Sequence, residues 1–241
     1  MMINKMVVLS LGDWKNIQRD PLLIFTMIGT LLLAALVRFG LPQLTVLLQT
    51  HTTFNLEEHY RLIVSLVLLM TPLMIGMLYG FMILDERDEE VLLYYSVTPL
   101  TKTGYLFCRL LVPMVLTFTL SFVVVFIQGV VEWNFLSFIP IALLLAIQAP
   151  LITMMMASLA SNKVEGLALT KVINLCVLAP LIDYAVSHPI AKVVAIFPVY
   201  WPALAFQSGE DTNWSGMVLV GLVVALLWFV LLNKMFQRKI G

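Results

Sequence analysis

Five carboxylates and one arginine fall within six consecutive positions, Asp85, Glu86, Arg87, Asp88, Glu89 and Glu90. A cluster of that kind could take a cation, relay protons or dock against a basic surface. Other groups with chemical potential are sparse. Histidine occurs at His51, His59 and His188, and cysteine at Cys108 and Cys176 with no C-x-x-C pair, so neither a metal site nor a redox pair is spelled out. The two cysteines lie in apolar surroundings and read as small buried hydrophobes. No H-E-x-x-H, G-x-S-x-G or G-x-x-x-x-G-K-S/T motif occurs, which argues against an intramembrane enzyme and against nucleotide hydrolysis by this chain.

The elements that must carry the cluster follow from composition. Of 241 residues 61% are hydrophobic and only 12% charged, with mean hydropathy +0.99. No soluble domain of this size could bury so much apolar surface, so the chain reads as an integral membrane protein. Formal charge is zero, which gives nucleic acid no field to follow. The first twenty residues mix charges with apolar positions and show no cleavable leader pattern.

Crossing about 30 Å of hydrocarbon takes roughly 20 apolar residues as helix, because no water satisfies free backbone groups there. Six stretches qualify: 21–37, with a continuation toward Leu48 past Pro42 open, then 62–84, 105–130, 135–160, 167–187 and 214–232. The predicted fold class is therefore all-α and polytopic, one transmembrane domain over 1–241. Counting Lys and Arg on alternate sides places eleven on one side and three, Arg38, Arg61 and Lys192, on the other. The positive-inside rule makes the richer side cytoplasmic and puts both termini there, while Trp133, Trp201 and Trp214 fall at the outer interface.

Each charge at mid-membrane costs about 3 kcal/mol on an insertion scale, so the five carboxylates must sit in water. In the cytoplasmic loop 85–103 they precede the apolar run Val91, Leu92, Leu93, Tyr94, Tyr95 and Val97, which needs cover. Acids in a first turn predict a short helix over 87–96, and Thr98-Pro99 ends it and starts the next. Local chemistry suits two roles for it equally: resting tyrosines on lipid headgroups, or docking into a protein groove. Residues 188–207 are apolar but broken by Pro189, Pro198 and Pro202; a single crossing there would break the topology count, and the residues by themselves suit a proline-rich loop packed on the outer bilayer surface.

The loop sequence ERDEEVLLYYSVTPLTK resembles the stretch E-R-E-x-G-T-L-E-x-L-L-x-T-P-L-S between the second and third spans of type-two ATP-binding-cassette (ABC) exporter permeases. Glu86, Arg87, Asp88, Leu92, Thr98, Pro99, Leu100 and Thr101 keep the pattern. Glu90 and Val91 replace Gly-Thr, and Leu93 replaces the second Glu. The segment DWKNIQRDPLLIFTMIGTLLL, with Arg19, Asp20 and Pro21, resembles the amphipathic interfacial helix (here 1–20) that precedes the family's first span. The resemblance implies a coupling helix docking into a separate ATPase subunit, with Glu86, Arg87, Asp88, Leu92, Tyr95, Thr98 and Pro99 as the contact. It implies ATP and Mg on that partner and no cofactor or metal on this chain. It also implies outer re-entrant helices over 188–207 and a homodimer of permeases in a bacterial cell membrane, exporting a hydrophobic or amphipathic compound such as a drug, antimicrobial peptide or lipid.

Candidate pathway residues are the polar or adaptable side chains inside spans: Gln128, Gln148, Asn174 and Met155, the last in the run Met154-Met155-Met156. A polar group in a span more often bonds a neighbouring helix than a cargo. Asp183 lies at the outer end of the fifth span with no buried partner evident. The competing function is an ion- or proton-coupled carrier, which requires ionisable groups buried at mid-membrane; none is evident in the sequence.

Overall fold

The computed structural model describes residues 21–89, 101–186, 188–209 and 213–240, and every regular element among them is helical. The α-helices are α1 (Pro21–His51), α2 (Tyr60–Asp88), α3 (Thr101–Gln128), α4 (Phe135–Leu159), α5 (Lys163–Leu175), α6 (Leu178–Ala185), α7 (Tyr200–Ser208) and α8 (Trp214–Ile240). Short 3-10 segments cover Leu56–His59 and Pro189–Ile196. Among the described residues, six helical stretches are long and apolar enough to cross a membrane: α1, α2, α3, α4, the α5–α6 pair and α8. The fold is the all-α polytopic one that composition predicts.

Burial sorts these stretches into two kinds. Within their apolar windows α2 is 67% and α4 61% buried, against 22–28% for the other four, so α2 and α4 form the centre and the others surround them. Without a hydrophobic drive between helices in lipid, close packing at small residues holds such a centre together. A Cβ on Gly76 of α2 would lie 2.7 Å from the Ala149 carbonyl oxygen of α4, so only glycine permits this approach. The Thr153 hydroxyl lies 3.0 Å from the carbonyls of both Gly76 and Ala149 and donates between them.

Several boundaries differ from the sequence reading. α1 continues through Pro42 to His51. α2 does not stop at Leu84 but carries Asp85, Glu86, Arg87 and Asp88 in its last turns. The predicted start of a separate helix at Arg87 is thus corrected: those charges close α2, and α3 begins at Thr101. The carboxylates stand at the helix end where the dipole disfavours them, and partners from other helices offset that, as described below. The fifth span is two helices, since Pro180 has no N–H for the Cys176 carbonyl one turn earlier. Ala179 N donates to Cys176 O instead, at 3.1 Å, and the helix breaks over Cys176 and Val177. α8 extends past Leu232 to Ile240.

The broken stretch after α6 folds as the Pro189–Ile196 segment followed by α7. Trp201 Nε1 donates to Ala195 O and Trp228 Nε1 to Ile196 O, both at 2.9 Å, which pins the segment to α7 and α8. α7 packs against α2, α4 and α8, with Tyr200, Ala203, Ala205 and Phe206 buried. Gln207 Nε2 donates to Ser65 Oγ at 3.0 Å and fastens α7 to α2. Residues 1–20, where the interfacial helix is expected, lie outside the described residues.

Candidate functional site at the charged helix ends

Four helices meet where α2 leaves the bundle. Glu86 of α2 forms an ion pair with Arg109 of α3, whose side chain is 3% exposed against 17% for the glutamate. Arg87 Nη1 donates to the Ala160 carbonyl at 2.9 Å and its Nη2 to the Ala157 carbonyl at 2.8 Å. Ala157 is in the last turn of α4 and Ala160 caps that helix, whose final four C=O groups have no partner one turn further on. The planar guanidinium, with several donors in one fork, suits two of them at once.

The two outer carboxylates reach α5. Asp85 Oδ2 accepts from Lys163 Nζ at 2.9 Å, and Asp88 Oδ2 accepts from the Lys163 backbone N–H at 3.1 Å. Lys163 is the first residue of α5, so Asp88 sits at the positive end of that helix dipole. The start of α5 is itself built locally. Asn162 Oδ1 accepts from Glu165 N at 2.9 Å, and Glu165 Oε2 reaches back to Ser161 N at 2.7 Å, a capping-box arrangement.

Consequently Glu86, Arg87 and Asp88, expected as contacts for another protein, bond their own chain, and α2, α3, α4 and α5 become one unit at this end. Glu86 and Arg87 are partly buried and Asp88 is exposed. Leu92, Tyr95, Thr98 and Pro99 lie outside the described residues. The sequence reading missed Arg109 and Lys163 as partners and used them only as topology markers. The Asn162-x-x-Glu165 spacing was the available sign that a helix starts at Lys163. Nothing in the sequence pairs Arg109 with Glu86, because the two stand on different helices.

The pathway candidates separate. Gln128 closes the turn after α3: its Nε2 donates to Val131 O at 2.7 Å, and its Oε1 accepts from Val130 N and Val131 N, both at 2.9 Å. Gln148 is fully buried in α4, its Nε2 donating to Leu144 O at 3.2 Å and its Oε1 without a partner among the described residues. Gln148 and Met155 together line a small apolar cavity of about 50 Å³ between α4, the fifth-span break, the Pro198 region and α8. Asn174 is exposed on α5 and does not line it. Asp183, expected to lack a partner, accepts a hydrogen bond from the Tyr200 hydroxyl at 2.8 Å. No cluster of three or more metal-binding side chains occurs among the described residues.

Comparison with known proteins gives this arrangement its context. No solved structure matches the chain significantly. Two curated relatives from Mycobacterium tuberculosis, fluoroquinolones export permease protein MT2760 of strain CDC 1551 / Oshkosh and fluoroquinolones export permease protein Rv2686c of strain H37Rv, are each 28% identical over 234 residues. In each case that alignment spans 95% of this chain and 92% of the relative. With the profile of the Rv2686c-like fluoroquinolones export permease family matching residues 13–233, nearly the whole span from the amino-terminal segment into α8, the chain belongs to that family and is an export permease of the ABC type.

Proposed function

We propose that this chain is the membrane subunit of an ATP-driven exporter whose cargo is a fluoroquinolone-like drug, and that a separate ATPase subunit drives two copies of it. The observation that carries the coupling role is the bonding of Asp85, Glu86, Arg87 and Asp88 to α3, α4 and α5. A push on the segment after α2 would reach four helices through this unit rather than one. Glu86, Arg87 and Asp88 therefore transmit the stroke, while Leu92, Tyr95, Thr98 and Pro99 meet the ATPase. ATP and Mg reside on that partner. The charged end faces the cytoplasm with both termini, and 188–207 re-enter the membrane from outside.

The test is norfloxacin efflux from cells expressing the permease together with an ABC ATPase that co-purifies with it. Wild type should lower drug accumulation, and removal of the ATPase's phosphate-loop lysine should abolish the effect. Tyr95→Ala should lower ATPase association. Arg87→Ala should leave association intact and cut efflux about tenfold, a change equivalent to about 1.4 kcal/mol. Efflux that persists without a nucleotide-hydrolysing subunit overturns the reading.

A further inference from the structure

At the opposite end of the bundle from the charged unit, a cavity of about 400 Å³ opens between the start of α2, the α3–α4 turn, the end of α7 and the start of α8. Its size falls in the range of small-molecule sites, roughly 300–1,000 Å³. Arg61, Glu132, Trp133, Phe138, Phe206 and Trp214 line it. The aromatic floor is held rigidly, for Phe138 is 2% exposed and its ring is met edge-on by Trp133, Phe206 and Phe122 at centroid distances of 5.6, 6.2 and 5.0 Å.

Arg61 and Glu132 bring opposite charges to the same cavity, and neither forms an ion pair or side-chain hydrogen bond with another described residue. A cation, an anion and flat aromatic walls are the complement of one ligand class. That class is a planar aromatic acid with a basic amine at some distance from its carboxylate.

We propose that this cavity is an outer-side cargo site of the permease, with the carboxylate of a planar aromatic zwitterion on Arg61, its ammonium group on Glu132 and its ring system against the aromatic walls. The assignment rests on the exporter reading above. Fluoroquinolones have this chemistry, and a zwitterionic lipid headgroup shares the charges but lacks the aromatic plane.

Three probes separate the contacts when their binding to the full chain with its ATPase is measured in lipid nanodiscs. Norfloxacin carries both charges, its ethyl ester only the amine, and nalidixic acid only the carboxylate. Arg61→Gln should weaken norfloxacin and nalidixic acid about tenfold and leave the ester unchanged, as loss of a charge-assisted hydrogen bond implies. Glu132→Gln should weaken norfloxacin and the ester and spare nalidixic acid. Arg61→Lys should restore part of the loss, and Ser137→Trp, which fills the cavity, should weaken all three. The site is overturned if wild type binds none of the probes or if the charge variants affect all three alike. It is equally overturned if phosphorylethanolamine displaces norfloxacin and phosphatidylethanolamine in the disc abolishes its binding, which makes the cavity a headgroup site. Norfloxacin efflux measured in parallel keeps the two readings apart. Efflux with unaltered binding in the variants removes the site alone, whereas the predicted binding pattern without ATP-dependent efflux supports the site and removes the exporter reading.

Discussion

Among single residues, Arg109 carries the sharpest energetic consequence. Its side chain is almost wholly buried and paired with Glu86, and removing one member of a buried ion pair costs about 3–5 kcal/mol. Arg109→Met should therefore lower the unfolding free energy by about 3 kcal/mol in a detergent denaturation titration. The double variant Glu86→Gln with Arg109→Met should recover more than half of that loss, because the carboxylate that faced Arg109 is then neutral. A double variant no more stable than Arg109→Met would show that the pair is not coupled. The types and spacing in ERDEEVLLYYSVTPLTK were legible as a motif, but the partners of its first three residues were not. A pair 23 positions apart on two helices depends on how each helix is rotated about its axis.

Among elements, the contact between α2 and α4 decides whether the centre of the bundle closes. A methyl added at Gly76 would press on the Ala149 carbonyl, which is backbone and cannot turn aside. Gly76→Ala should destabilise the protein by about 1–3 kcal/mol, the usual range for overpacking. Gly216→Ala in α8 is the control, since nothing lies within 4 Å of a Cβ there; its midpoint should be unchanged or slightly raised by the better helix propensity of alanine. Equal loss in both variants would mean that glycine is needed for something other than the close approach. Apolar length revealed α2 and α4 as spans but not as the centre. α3 and α8 are more apolar than α2 and α4 yet far less buried, because centrality is a property of neighbours. The break in the fifth span was within reach of the sequence, for Pro180 stands inside the apolar run and removes a donor the helix needs.

For the whole molecule, alternation of the spans fixes two sets of loops on opposite faces, and the distribution of Lys and Arg orients them. Cysteine introduced at Asn55 or Glu132 in a chain with Cys108 and Cys176 replaced should react with a membrane-impermeant maleimide in intact cells. Cysteine at Asn162 should react only after the cells are opened. The reverse pattern would invert the orientation and place the charged unit away from any cytoplasmic ATPase. The expected pattern would place the cavity beside Arg61 and Trp133 on the outer face, as an exit-side cargo site requires.

The amino-acid sequence by itself determined that the chain is helical and crosses the bilayer six times, because in hydrocarbon a backbone must satisfy its own hydrogen bonds and apolar length records where it does so. It also carried the family pattern in the segment after the second span. Only the tertiary structure decided what that pattern holds on to, which spans form the centre, and that Arg61, Glu132 and a rigid aromatic floor share one cavity. Those features join residues far apart in the chain, and their meeting depends on the packing and rotation of helices, which the hydropathy of each helix does not record.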